Sequence, residues 1–508
     1  MEATLQHSNT KNLFSKPLLW IVFGLYIIVA GFTMYHHELW GDEFHSWNIA
    51  KGSSSFLDLI HNRRYEGHPP VWYTILWVIS KFTHNLMYVQ IVHFTIAVSI
   101  IFVMLFYSPL PNSVKILLPF GYYFLFEYAV LSRNYALGIL AGFIVCIIIN
   151  KEFKYKFILY YALLLVISNV HLLALLLAAS LHLYFLISTI EQKKKRTATA
   201  SHILLGVLVF LPAVHFISQP PESQINLMYF VRGWNLSQFA IDMQAPLRSF
   251  MPIPAWWQYS FWNTQFLLEL HHKYKFLKVI SPLLAFTFVG VGCCILKNNK
   301  KSLALFAANT FLTFIVGNIF SLTTQRYCGF IFIGFIVAYW LYCYDNPVQQ
   351  KSKKMIVTIL LLIQLIAGIF IVSKDIALPF SNGYLVKELV HEVPVNKKLV
   401  TDYCALNTVS SCMDQTCYCV DVERNMSFIV WGADKPMLDD SNRYSHGLNY
   451  LFDKEKIQTV YLVSIISPKD LTLVDKKLFT SFNVTLIDKR EGAIDKGSNL
   501  YLYKISAL

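Results

Sequence analysis

The chain has 508 residues, 55% hydrophobic and 14% charged, with a mean hydropathy of +0.47. So apolar a chain of this length falls outside the soluble globular class and reads as a polytopic membrane protein. The net charge of +13 does not point to nucleic acid, because the basic residues gather in short loops between apolar runs: Lys151/Lys154/Lys156, Lys193-Lys194-Lys195-Arg196, Lys297/Lys300/Lys301 and Lys351/Lys353/Lys354.

Residues 1–17 are polar, and their basic residues place them in the cytoplasm. No small-residue cleavage site follows the first apolar run, so residues 18–36 are expected as a retained first helix. That helix delivers Trp40-Gly41-Asp42-Glu43-Phe44-His45 to the outer face. A helix opening at Pro69-Pro70 and ending near Phe82 returns the chain, residues 87–107 cross outward, and residues 37–68 become an external loop. Residues 113–149 are too long for one span and awkward for two, since a span needs about 20 residues. A short, partly inserted helix at 114–128 followed by a crossing from about Arg133 to Ile149 keeps the basic loop at 151 inside. Further spans at 157–168, 171–190, 201–218, 276–296, 302–320, 326–344 and 355–373 bring the expected total to eleven crossings plus one half-helix.

Two more external regions follow. Residues 219–275 form a loop rich in aromatics, with Trp234, Trp256, Trp257 and Trp262 suited to the headgroup level. Residues 374–508 change character: candidate strands at 397–402, 427–431, 459–466, 482–487 and 500–505, with helices at 383–392 and 468–478, predict an extracytoplasmic α/β domain. Cys404, Cys412, Cys417 and Cys419 in this domain read as two disulfides of undetermined pairing, in preference to a zinc site whose usual spacing they do not have. Cys146, Cys293, Cys294, Cys328 and Cys343 fall in or beside spans and read as small apolar residues.

Chemistry is expected first at Asp42-Glu43, because adjacent carboxylates at a bilayer surface are costly and usually functional. Asp42 as a helix N-cap is the structural alternative. The same loop carries Arg63, Arg64, Glu66 and His68, and Pro69-Pro70 fixes where His68 must lie. Arg133 and Arg326 each start a predicted span. A lone arginine there can snorkel to the headgroups, but the four arginines together could surround an anion such as a phosphate. His68 is expected to donate to phosphate or sugar, or else to make a structural hydrogen bond; His171, at an outer turn, is a groove residue or an interfacial histidine. Glu66 and Glu127 are reserve carboxylates. The chain shows neither a Gly-rich phosphate loop nor a Walker pattern.

Asp-Glu soon after the first span, His68-Pro69-Pro70 followed by Tyr73, Arg133-Asn134-Tyr135-Ala136-Leu137 and the late Arg326-Tyr327 resemble the GT-C membrane glycosyltransferases, in order and in predicted sidedness. The nearest relatives look like protein O-mannosyltransferases, aminoarabinose transferases and Rgt-type lipopolysaccharide sugar transferases. The resemblance covers about residues 18–373, and it departs at Cys328-Gly329-Phe330, where the family often has a proline or second acidic residue. It implies inverting transfer of a sugar from a polyprenyl-phosphate donor to a lipid, glycan or protein acceptor on the outer face of the membrane; the high Lys, Ile, Asn and Tyr content and the compact C-terminal domain point to a bacterium, and so to the periplasmic face of its inner membrane. Asp42 is then the expected base, with Glu43 orienting the acceptor, binding a sugar hydroxyl or pairing with an arginine. Arg63, Arg64, His68, Arg133, Tyr135, His171 and Arg326 are expected around donor phosphate and substrate. No cofactor is expected, and one acidic pair without a third ligand gives little sign of an essential metal. A transporter or lipid-linked glycan flippase is the rival class, although no paired halves are visible; a glycan polymerase or ligase would use a pyrophosphate-linked donor.

Overall fold

A computed structural model describes residues 15–192, 196–218, 220, 243–258, 260–320, 324–348, 350–431, 434 and 441–508. The predicted basic run Lys193-Lys194-Lys195, Trp234 and most of residues 219–242 lie outside the described residues. Eight helices are long and apolar enough to cross a membrane: α1 (Ser15–His36), α5 (Met87–Tyr107), α8 (Leu172–Glu191), α9 (Arg196–Ile217), α10 (Leu277–Leu296), α11 (Lys300–Phe320), α12 (Gln325–Asp345) and α13 (Lys351–Ala377). The other three predicted spans are also helical but short: α4 (Val71–Ser80), α6 (Tyr135–Ile149) and α7 (Lys156–Ser168) have 10, 15 and 13 residues. At 1.5 Å per residue α4 extends only about 15 Å, half the thickness of a hydrocarbon core. Helices α2 (Gly41–Gly52) and α3 (Phe56–Arg63) fold the first loop over the bundle end.

Helix α12 is almost wholly buried and apolar all round, which makes it the central post of the bundle. Close approach depends on small residues, as expected where lipid supplies no hydrophobic drive between helices. A methyl group at Gly334 of α12 would collide with Asn309 of α11, whose amide donates to the Phe330 carbonyl at 2.9 Å. The stretch expected as one half-inserted helix at 114–128 is instead three short turns: an α-turn at Asn112–Leu117, a 3-10 turn at Leu118–Phe120 and a π-turn at Tyr123–Glu127. Pro119 and Gly121 break the helical ladder there. The stretch is packed inside protein, and Tyr26 Oη donates to the freed Phe124 carbonyl at 2.9 Å.

One end of the bundle carries the basic loops. Lys301 pairs with Asp345 at 3.1 Å and with Glu191 at 3.7 Å, and Lys353 Nζ donates to the Ile295 carbonyl at 2.7 Å. The other end gathers the start of α2, the entries to α4, α6, α8 and α12, and the exits of α9 and α11.

A six-stranded mixed sheet caps that second end. Its order is β3-β2-β1-β4-β6-β5, with β1 (Lys398–Thr401) parallel to β2 (Cys417–Cys419) and to β4 (Thr459–Ser464), and the remaining pairs antiparallel. The strand expected at 427–431 is displaced to β3 (Arg424–Met426), and β2 was not foreseen because three residues carry no period. β5 (Phe482–Arg490) and β6 (Leu500–Ala507) complete the sheet. The four cysteines of this domain are unbridged, contrary to the disulfide expectation. Cys417 and Cys419 sit two apart on one buried strand, while Cys404 and Cys412 occupy opposite ends of α14 (Tyr403–Met413), separated by about 12 Å of helical rise. The sheet domain docks on α2. Asn48 donates to the Asn407 and Ser427 carbonyls at 2.9 and 3.0 Å and accepts from Ser411 at 2.8 Å, and Lys51 pairs with Asp414 at 2.7 Å.

Candidate active site

Between the bundle end and the sheet domain lies a cavity of about 510 Å³, and Asp42 faces into it. Helix α2 starts at Gly41, so Asp42 is already in its first turn and does not act as the N-cap. Trp40 is the N-cap residue, and Glu43, three positions on, reaches back with its carboxylate to accept from the Trp40 backbone N–H at 3.0 Å. Neighbours on a helix point about 100° apart, and the two carboxylates accordingly face different environments. Asp42 is 38% exposed at its side chain, onto the cavity, with Arg326 Nη1 at 3.1 Å and Arg133 Nη2 at 3.7 Å from one oxygen. Glu43 is buried. It also accepts from the Ser132 N–H and lies 3.8 Å from His37, which in turn is 3.1 Å from Asp375 near the end of α13.

The two arginines are held by different means. Arg133 donates to the Asp42 carbonyl at 2.6 Å and to Ser46 Oγ at 3.2 Å, which ties it to α2. Arg326 is caged by aromatic faces, with ring centroids of Trp40, Tyr327 and Trp262 at 5.1, 5.1 and 5.9 Å. Among the described residues, Nε of Arg326 and Nε of Arg133 meet no hydrogen-bond acceptor, and Nη1 of Arg326 is held by its ion pair with Asp42. Burial would raise the Asp42 carboxyl, but Arg133 and then Arg326 outweigh it and hold Asp42 below the usual carboxylate range.

His68 and His171 line the same cavity with their rings 5.1 Å apart. Burial first, and then the charge of Arg133, push His68 down to about 3, so it is a neutral imidazole near neutral pH. His171 caps α8, with Nδ1 accepting from the Leu173 N–H at 3.1 Å. The other predicted site residues stand behind the cavity wall. Tyr135 is buried with its ring 4.7 Å from His171. Arg63 is buried, donates to the His68 carbonyl at 2.5 Å and lies over the Phe216 ring, so it supports the loop before Pro69. Arg64 donates to the hydroxyl of Tyr65 and is likewise not among the lining residues. Glu127 accepts from Tyr122 Oη at 2.7 Å and is buried away from Asp42.

The sequence reading missed part of the wall. His45, three residues after Asp42, shares its helix face, a spacing that could have flagged it. Its Nε2 meets Glu66 Oε1 at 2.9 Å and its Nδ1 meets Asn407 Oδ1 at 3.2 Å. Burial would lower His45, but Glu66, and after it Asn407 and Asp42, raise it above the ordinary histidine value. Tyr403, Cys404, Asn407 and Trp431 come from the sheet domain, and no local signal could place residues some 360 positions away beside Asp42. Among the described residues no group of three His, Cys, Asp or Glu side chains is gathered to hold a metal ion. The arrangement offers an ionised carboxylate, two guanidiniums beside it and neutral imidazoles in one cavity, which suits proton removal next to an anionic leaving group. No protein-family model matches the chain, and no curated protein is similar to it.

Proposed function

We propose that the protein is an inverting glycosyltransferase of the GT-C type that moves a sugar from a polyprenyl-phosphate donor to an acceptor hydroxyl. One observation carries the reading: Asp42 is flanked by Arg326 at 3.1 Å and Arg133 at 3.7 Å inside a cavity that reaches the membrane helices. The acceptor oxygen forms a bond to the anomeric carbon as the bond from that carbon to the phosphate oxygen breaks. The hydroxyl proton passes to Asp42, and the bonding electrons leave with polyprenyl phosphate. Arg326 and Arg133 meet the negative charge that grows on the phosphate, and as they turn to it Asp42 loses part of the field that depresses its basicity. Glu43 holds α2 and the Ser132 backbone in place and does not touch substrate.

Ile217, Phe320 and Leu172 line the cavity at helix ends, which suits entry of an isoprenoid chain from the lipid, where each buried methylene contributes about 0.8 kcal/mol. Under this reading the three short helices complete eleven crossings, the basic end faces the cytoplasm, and the cavity opens on the periplasmic side of a bacterial inner membrane. The test is purified protein in vesicles with polyprenyl-phosphate-linked hexoses and pentoses. Release of polyprenyl phosphate in step with sugar transfer is expected; no release from any donor overturns the reading in favour of transport.

A further inference from the structure

The cavity has two unlike halves. Arg133, Arg326 and His171 come from the membrane bundle, whereas Tyr403, Asn407 and Trp431 come from the sheet domain. A donor tethered by an isoprenoid must approach from the membrane half, so the sheet-domain half is left for the acceptor. Its chemistry is specific. Tyr403 and Trp431 are both half-buried, with ring centroids 5.3 Å apart and planes at 74°, forming an aromatic corner instead of a stack. Asn407, one turn after Tyr403 on α14, meets His45 of α2, and His45 meets Glu66, a polar row with contacts of 3.2 and 2.9 Å where the sheet domain touches the first loop.

The corner is held in place from within its own domain. Asp421 accepts from the Tyr403 N–H at 2.6 Å and pairs with Arg443 at 3.1 Å. Asp402 caps α14 by accepting from the Ala405 N–H at 2.7 Å, and it also accepts from Tyr444 Oη at 2.9 Å.

We propose that this half of the cavity is a saccharide subsite, and that the acceptor is a pyranose-containing glycan whose ring lies on Tyr403 and Trp431 with hydroxyls on Glu66 and Asn407. The proposal rests on the glycosyltransferase reading for its role, though not for its binding chemistry. A pyranose ring presents C–H bonds of slight positive charge on its faces and hydroxyls around its edge. Aromatic faces are negative, so a ring beside a row of hydrogen-bonding side chains matches both features at once. A peptide would want backbone partners along an extended edge, and a phospholipid a long apolar groove. The cavity's volume of about 510 Å³ lies within the usual small-ligand range of about 300–1,000 Å³.

The test separates binding from transfer. Binding of methyl α-mannopyranoside, methyl β-glucopyranoside and methyl β-galactopyranoside to the full chain in detergent is measured by saturation-transfer NMR without donor. Trp431→Ala and Tyr403→Ala are each expected to weaken the best-bound pyranoside about tenfold, with Trp431→Phe recovering most of the loss. A thermal midpoint equal to wild type shows that the sheet domain is folded. Binding of none of the three by wild type, or equal binding by wild type and Trp431→Ala, overturns the subsite. So does transfer to a serine peptide or a phospholipid with none to a pyranoside. Pyranoside binding that depends on Trp431, without polyprenyl phosphate release, leaves the subsite standing and removes the transferase reading instead.

Discussion

Replacing Asp42 with Asn keeps the shape of the site and removes one charge, and the geometry around it gives that change two opposite signatures. If Asp42 is the base of the proposed transfer, its loss lowers kcat, because a positioned carboxylate typically contributes 10²–10⁴-fold to such a step, roughly 3–5 kcal/mol. Donor binding moves the other way. Asp42 is the partner of Arg326 at 3.1 Å and of Arg133 at 3.7 Å, and its side chain is 38% exposed to a wet cavity. Each guanidinium released from so screened a pair is worth about 0.5–1 kcal/mol to an incoming phosphate. Together they should tighten polyprenyl phosphate binding by about 1–2 kcal/mol, roughly fivefold to thirtyfold in Kd. The assay is transfer kinetics with a polyprenyl-phosphate sugar, alongside equilibrium binding of polyprenyl phosphate at low and moderate salt. An unchanged kcat would refute Asp42 as base. Weaker phosphate binding in Asp42→Asn would refute the competition between carboxylate and phosphate for the two arginines.

Arg326→Lys should raise the donor KM about tenfold with a smaller effect on fold, because an ammonium cannot fill a cage made by Trp40, Trp262 and Tyr327 or present a planar fork to phosphate; an unchanged donor KM would place the phosphate elsewhere. Glu43→Gln should cost about 2–4 kcal/mol of stability, read as a lower thermal midpoint, because its amide NH2 must face one of the two N–H groups, of Trp40 or Ser132, that the two carboxylate oxygens now accept from; the Asp42→Asn protein should keep its midpoint. Glu66→Gln tests His45, whose folded pKa is raised and whose contribution to stability is therefore full below its unfolded value of about 6.5 and lost as pH rises through the folded value. The midpoint gap between wild type and Glu66→Gln should be widest between about pH 5 and 6.5 and close at alkaline pH; a gap that widens with pH would invert the assignment.

Much of the scaffold was legible because membrane helices are written as long apolar runs, and a helix stands at every predicted span. The breaks at Pro119 and Gly121 were also visible as residues, but the burial that lets three turns replace one helix depends on α12 and α13, far along the chain. Asp42, Arg133 and Arg326 were legible as charges that an apolar chain does not carry without cause. Charge alone could not separate the arginines: Arg63 looked equivalent to Arg133 until packing turned its guanidinium toward the His68 carbonyl. The division between Asp42 and Glu43 followed from helical phase, while the buried chain from Glu43 through His37 to Asp375 joins positions 338 apart at its second link and has no local trace. The cysteines misled because an even count says nothing of where each thiol lies: two sit at opposite ends of one helix and two on one short strand, and all four are unbridged.

The broken stretch from Asn112 to Glu127 also sets an order of assembly. Its interrupted backbone is tolerable at membrane depth only inside protein, yet Gly121 packs against Gln364, and Gly368 packs against the backbone at Phe120 and Gly121, all from a helix made more than 200 residues later. A growing chain therefore holds Arg133 and the early carboxylates without a finished cradle until α12 brings Arg326 and α13 seals the turn. The cluster around Asp42 is therefore completed from the C-terminal side: Arg133 stands beside it early, and Arg326 joins only once α12 is made.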